Sequence, residues 1–196
     1  HEVIFDLWNQ KAHTADDYGR LRLEMVATGS ECFRISAWSG STGFSDKTLG
    51  THNPSAATVA SNTWKHYAVT LKNSGSDVDI ELYINGQRKT TSTIAGAAMN
   101  AVTGALDATI GALRTVPTGS AYASDTGLGS GKLSASLDDF RYWKTARDPQ
   151  EIGRNWFTNV YGGTNTDDAN TYLGVYYKFN EGTHGDDSVD KNVLDY

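Results

Sequence analysis

Apolar and polar residues alternate one by one in four separate runs of the chain, and this period-two pattern restricts the fold more than any other feature. The runs cover residues 21–26, 33–38, 67–72 and 78–84. Successive side chains of a β-strand point to opposite faces, so each run can bury one face and leave the other in water. The pattern is typical of antiparallel sheets with one solvated side.

A tight turn follows the fourth run. Asn85 and Gly86 favour a type I′ turn because both residues tolerate positive φ, and residues 87–93 are predicted to form the returning strand. Residues 73–76, which are rich in Gly, Ser and Asn, link the third and fourth runs. These strands therefore form a predicted three-stranded meander.

One segment has the start signals of a helix. Asp148 is a predicted N-cap, Pro149 suits the first helical position, and Glu151 completes a capping box. A long strand is predicted just before it, over residues 132–144. The predicted fold is all-β, a two-sheet antiparallel jelly-roll sandwich with one short helix near the C-terminal end.

Composition excludes several classes of protein. The chain has 196 residues and a net charge of −6, which argues against a nucleic-acid partner because such proteins carry a basic patch. No run approaches the roughly 20 apolar residues of a membrane span, so membrane insertion is not expected. The single cysteine, Cys32, excludes an internal disulfide and is interpreted as a small buried apolar residue.

Four motifs between residues 64 and 152 occur in the order found in one known family. They are Trp64-Lys65-His66-Tyr67-Ala68-Val69-Thr70, Ile80-Glu81-Leu82-Tyr83-Ile84-Asn85-Gly86, Ile110-Gly111, and Leu137-Asp138-Asp139-Phe140-Arg141-Tyr142-Trp143 followed by residues 148–152. Together they resemble the laminin-G-like jelly roll of the concanavalin A-like lectin/glucanase superfamily, of the kind found in large phage structural proteins and bacterial adhesins. The resemblance implies the same sandwich that the periodicity predicts.

The end of the chain carries a further motif. Residues 176–182, followed by an Asp-rich stretch, resemble the strand with which this family opens. We therefore expect residues 1–160 to form a jelly roll that lacks its first strands and residues 161–171 to form a linker. Residues 172–196 are expected to be either the final closing strand or the start of a following repeat.

The resemblance implies a non-catalytic surface module that binds glycans or mediates adhesion, as part of a larger virion or extracellular structural protein. The expected partner is a glycan or host-surface polysaccharide, or else neighbouring structural subunits, with a homo-oligomer left open. The expected location is extracellular or on the virion surface. The alternative is a purely structural assembly domain of a phage particle.

A third function class is a glycoside hydrolase. Asp77 and Glu81 lie four residues apart, so in a strand they share one face, as the paired carboxyls of a retaining glycosidase do. They fall on the hairpin strand, where alternate carboxylates are expected to face water. We therefore predict no enzymatic activity.

Glycan recognition uses aromatic faces at loop rims. Trp38, Phe44 and Tyr122 lie at predicted strand ends or in loops and are the candidate ligand-binding residues. The other group of aromatic residues follows the periodicity of a core and is expected to be structural. Its members are Trp64, Trp143 and Trp156.

Calcium is the cofactor that the resemblance implies, because relatives often bind it with loop carboxylates and carbonyls. The candidate ligands in this chain are Asp125, Asp138 and Asp139. Asp138 is also expected to accept backbone hydrogen bonds at its strand. Acidic loops occur without any ion as well, so both interpretations stay open.

Overall fold

The computed structural model describes residues 1–116, 125–160 and 172–179. The chain divides into two compact units, His1–Ser134 and Ala135–Tyr196. The described elements of the first unit are β1 (Glu2–Trp8), β2 (Gly19–Met25), β3 (Phe33–Ser39), β4 (Thr42–Thr48), α1 (Ala56–Val59), β5 (Tyr67–Ser74), β6 (Asp77–Ile84), β7 (Gln87–Ile94), β8 (Asp107–Ile110), β9 (Leu113–Val116) and β10 (Asp125–Ser130). Those of the second unit are β11 (Phe140–Trp143), α2 (Pro149–Asn155) and β12 (Leu173–Tyr177).

Two antiparallel sheets of the first unit enclose the main core. The larger has the strand order β4-β3-β2-β1-β8 and the smaller the order β5-β6-β7. One buried cluster joins apolar side chains from both sheets, namely Phe33, Ile35, Ala37 and Phe44 from the larger and Val78, Ile80 and Leu82 from the smaller. This confirms the predicted all-β sandwich, since the inward residues of the alternating runs supply its interior.

The predicted hairpin is confirmed in its turn geometry. Asn85 and Gly86 have φ values of 50° and 75°, which is the positive-φ pair of a type I′ turn. The turn places Ile84 opposite Gln87 in the β6–β7 ladder. Cys32 is fully buried, as expected, and burial raises the pKa of its thiol to about 11.

The predicted strand over residues 132–144 is wrong for most of its length. Only Phe140–Trp143 is extended in a ladder. Asp139 has a φ value of 56°, and this left-handed conformation interrupts a strand. Residues 125–130 form β10 and pair with β9.

The predicted helix is confirmed in the second unit, where it runs from Pro149 to Asn155. Glu151 N donates to the Asp148 side chain over 2.7 Å, and Asp148 N donates to Glu151 Oε2 over 2.8 Å. A second helix, the single turn α1, was not predicted. Its N-cap is Ser55, whose Oγ accepts from Thr58 N over 3.2 Å, and four residues are too few for a helical period to be read.

The last described strand, β12, pairs with β11 in antiparallel register, with Phe140 opposite Tyr177. The boundary between the compact units falls after Ser134, whereas the predicted linker at residues 161–171 lies outside the described residues. The two interpretations of residues 172–196, a closing strand or the start of a repeat, stay predictions.

Candidate functional site

The face of the larger sheet that points away from the core carries charged and aromatic side chains. Cross-strand pairing places Trp8, Arg20 and Trp38 in one row, and side chains that oppose each other in a ladder share a face. The neighbouring rows add carboxylates and further guanidinium groups. We call this surface the polar face, which comprises Asp6, Trp8, Arg20, Arg22, Glu24, Arg34, Ser36 and Trp38.

Four charged groups of the polar face form two buried ion pairs, Arg20–Asp6 and Arg22–Glu24. Arg20 Nε and Nη2 donate to the two oxygens of Asp6, both over 2.8 Å, and the two side chains are 4% and 2% exposed. The Arg20 guanidinium also lies 5.4 Å from the centre of the Trp8 ring. Because a fork of parallel bonds fixes both partners, this pair holds β1 and β2 in register.

A second pair joins Arg22 Nε to Glu24 Oε2 over 3.0 Å. Burial raises the pKa of Glu24, and the adjacent Arg22 opposes that shift. Both side chains are less than a tenth exposed. These two pairs make this part of the polar face a structural layer, since the paired groups bind each other and offer little surface to a ligand.

The two described candidate ligand-binding residues, Trp38 and Phe44, are not brought together. Trp38 lies on the polar face, half-buried, beside Gly43; a Cβ at Gly43 would lie 2.6 Å from its Cδ2. Phe44 was expected at a loop rim, and this placement is wrong, because its ring is only 4% exposed and packs in the core. Tyr122 lies outside the described residues.

The most exposed indole belongs to Trp64, which was expected in the core. Its side chain is 71% exposed, so that expectation is wrong. The reason is local, because Trp64 follows the small polar residues 61–63 and the alternation that buries side chains begins only at Tyr67. The alternation of apolar and polar residues is absent before β5, and this absence was the signal that could have indicated an exposed indole.

The segment that carries Trp64, residues 60–66, is held by hydrogen bonds, and we call it the Trp64 loop. Lys65 Nζ donates to Thr58 O over 2.9 Å and to Ser61 Oγ over 3.1 Å. At the far end, His66 N donates to Asn85 Oδ1, and Asn85 N donates to His66 O, both over 2.9 Å. The loop is thus attached to α1 at one end and to the β6–β7 turn at the other.

The carboxylates proposed for a hydrolase lie on the outer face of β6, opposite the buried Val78, Ile80 and Leu82. Asp77 Oδ1 accepts from Gly96 N over 2.9 Å and Glu81 Oε1 from Arg88 Nη1 over 2.9 Å. The Gly96 N–H, together with the Ser76 hydroxyl, lowers the pKa of Asp77. Both carboxylates therefore bind neighbouring strands and loops.

The candidate calcium ligands differ in their surroundings. Asp139 Oδ2 accepts from Arg141 Nη2 over 2.9 Å, and Asp138 is exposed. Asp125 lies in β10, and its side chain is outside the description. The described parts of the chain contain no group of three or more His, Cys, Asp or Glu residues that could hold a metal ion. Calcium binding stays a prediction.

The described residues include no helix that is both long enough and apolar enough to span a bilayer.

The sheets, their shared core and the hairpin define a β-sandwich of the jelly-roll type. The laminin-G family model described as "Concanavalin A-like lectin/glucanases superfamily" matches residues 4–153. The chain belongs to this superfamily. Comparison with curated proteins and with solved structures gave no significant match.

Proposed function

We propose that this chain is a non-catalytic module that binds glycans, or mediates adhesion through them, outside a cell or on a virion. The observation that carries the proposal is the indole of Trp64, 71% exposed on a loop that is hydrogen-bonded at both ends. Trp is highly buried on average, so an indole presented on an ordered loop suits a ligand that covers it. A sugar ring has an apolar face that can lie on such a surface.

The state of the carboxylates supports the non-catalytic part of the proposal. A retaining glycosidase needs two carboxyl groups about 5–5.5 Å apart, one to attack and one to donate a proton. Asp77 and Glu81 each accept hydrogen bonds from neighbours on the outer face of β6. Asp6 is likewise held by both nitrogens of the Arg20 fork.

A second candidate function is structural assembly through protein contacts. The second unit exposes two further aromatic side chains, Phe157 at 68% and Tyr172 at 42%. Aromatic residues are enriched in the cores of protein interfaces. This alternative predicts that Phe157, rather than Trp64, governs self-association.

A glycan array with the whole chain tests the proposal. We expect the wild-type chain to bind a subset of glycans. Trp64→Ala should bind them at least about tenfold more weakly, because loss of an aromatic residue at the centre of a binding site removes much of the binding energy. Phe157→Ala is the matched control, because it removes another exposed ring, and it should bind as the wild type does.

Two outcomes would contradict the proposal. One is the absence of glycan binding at millimolar concentrations, and the other is unchanged binding by Trp64→Ala. If one of these outcomes is found, and the wild type forms oligomers in sedimentation experiments that Phe157→Ala abolishes, the assembly function replaces the glycan function.

A further inference from the structure

Residues 95–106 join β7 of the smaller sheet to β8 of the larger sheet, and we call this segment the strap. It crosses the end of the larger sheet at a row of three residues. In that row Ser39 lies opposite Gly19 in the β2–β3 ladder, and Asn9 N donates to Gly19 O over 3.0 Å. The strap contacts each residue of the row, so it connects the two sheets at one end of the sandwich.

The contacts of the strap with this row follow one another in chain order. Asn100 N donates to Ser39 Oγ over 2.6 Å. The Val102 side chain occupies the space that a Cβ on the glycine of the row would need. Asn9 Nδ2 then donates to Thr103 O over 3.3 Å. The larger sheet therefore holds the strap through two hydrogen bonds and one close packing contact.

Met99 connects the strap to the smaller sheet and to the core. Its N–H donates to Asn73 Oδ1 over 2.9 Å, and its carbonyl accepts from Asn73 Nδ2 over 2.8 Å. Asn73 belongs to β5. The Met99 side chain is half-buried and packs against the apolar core, and Ser39 Oγ donates to its sulfur over 3.9 Å. The position of the strap thus depends on the contacts of one thioether side chain.

A thioether can be oxidised by a peroxide. The sulfur attacks one peroxide oxygen and the O–O bond breaks. The sulfur is oxidised by two electrons and keeps that oxygen, while the other oxygen takes up its proton and leaves as water. Because Met99 is only partly buried, a small peroxide can approach it. The sulfoxide is polar, so it disfavours the apolar contact that the thioether makes.

We propose that Met99 is an oxidative modification site, and that its conversion to the sulfoxide by a peroxide releases the strap from the core and from Asn73. The inference goes beyond the proposed function and does not depend on it. The chain has one other methionine, Met25. Met25 packs against the same core, but it lies in a strand that is paired on both sides, so its oxidation leaves the strap in place.

The experiment compares the whole chain before and after treatment with hydrogen peroxide. Peptide mass spectrometry identifies the sulfur that has gained oxygen, and hydrogen exchange measures the opening of the strap. We expect the amides of Met99 and Asn100 to exchange about tenfold faster once Met99 is oxidised. The melting temperature should fall by roughly 3–8 °C. A methionine sulfoxide reductase should reverse both changes.

Three variants separate the two methionines. Leucine has a similar volume and no sulfur, so Met25→Leu should respond to peroxide as the wild type does. Met99→Leu is the matched control, and its strap amides should stay protected after the same treatment. Met99→Gln places a polar group near the position of the sulfur and should show the faster exchange without peroxide. Cys32 is fully buried and is present in all variants.

Three results would overturn the inference. The first is a Met99 that stays unoxidised while the protein is folded, under conditions that oxidise free methionine completely. The second is Met99 sulfoxide whose strap amides exchange no faster than before. The third is a response of Met99→Leu as large as that of the wild type, which would assign the change to another residue. Glycan binding through the Trp64 loop is judged separately, because that loop is a different segment of the chain.

Discussion

Two regions of the first unit place the same type of side chain in opposite surroundings. On the polar face, Trp8 is 7% exposed, its Nε1 donates to Lys11 O over 3.0 Å, and Arg20 lies over its ring. In the Trp64 loop, the indole is 71% exposed. The difference follows from register, because Trp8 belongs to a ladder with neighbours on both sides whereas Trp64 precedes its strand.

This comparison separates residues that stabilise the fold from residues available to a ligand. On the polar face, Asp6, Arg20 and Trp8 contact each other. Removal of one side chain of the ion pair therefore leaves the other buried without its partner. In the Trp64 loop, the Ser61 hydroxyl bonds to Thr58 O and lies 3.1 Å from Thr63 Oγ1, while the indole is left to solvent.

The buried ion pair of the polar face should give the largest effect. Asp6→Ala leaves the Arg20 guanidinium buried without its carboxylate, which costs about 3–5 kcal/mol of stability. Urea denaturation followed by fluorescence would measure this loss. Asp17→Ala is the control, because that carboxylate is 45% exposed in its contact with Lys11 and should change stability by less than about 1 kcal/mol. Similar losses in the two variants would show that the Asp6–Arg20 pair is not structural.

The two indoles give the most direct contrast. Trp8→Ala should lower the free energy of unfolding by about 3–5 kcal/mol because it empties a buried site. Trp64→Ala should change it by less than about 0.5 kcal/mol while it reduces glycan binding. Both stability changes are measurable in one denaturation series. A large loss of stability in Trp64→Ala would mean that its indole is structural.

The attachment of the Trp64 loop to the β6–β7 turn should matter less for stability. Asn85→Gly keeps the positive-φ turn and removes the side-chain acceptor of His66 N, at a cost of about 1 kcal/mol. A looser loop should also weaken glycan binding by about two- to threefold in calorimetric titrations. Asn85→Asp retains an acceptor and serves as the control. Equal affinities in all three proteins would show that the indole needs no support from this turn.

The smallest effect concerns the carboxylate of Asp77, whose contribution to stability should depend on pH. The Gly96 N–H and the Ser76 hydroxyl lower the pKa of Asp77 below the ordinary value of an aspartate. Its contribution to stability is therefore present above the ordinary pKa and is lost as pH falls through the lower pKa of the folded state. Asp77→Asn should therefore melt below the wild type at pH 7, and the difference should shrink in the acid range. A difference that stays constant between pH 7 and pH 2.5 would contradict this linkage.

The alternating runs and the turn and cap motifs were sufficient to predict much of the fold. Residues 33–38 and 78–84 bury the side chains that their period assigns to one face, and Asp148, Pro149 and Glu151 begin a helix as expected. These signals succeed because they depend on contacts a few residues apart. The strand predicted over residues 132–144 failed because Asp139, in the left-handed conformation, interrupts it.

The candidate site was predicted less well, for a related reason. Phe44 and Trp64 were assigned to the surface and the core, and the structure reverses both assignments. The exposure of an aromatic side chain depends on which strand lies opposite it and where a ladder begins. Neither quantity is contained in the local sequence around these residues.

The strand periodicity, the type I′ turn and the helix cap could be predicted from the chain alone, because each is a short-range preference of the backbone. The buried pair of Arg20 and Asp6 and the exposed indole of Trp64 became visible only in the folded chain. These outcomes depend on cross-strand register and on the packing of one sheet against another, which bring together residues far apart in the chain.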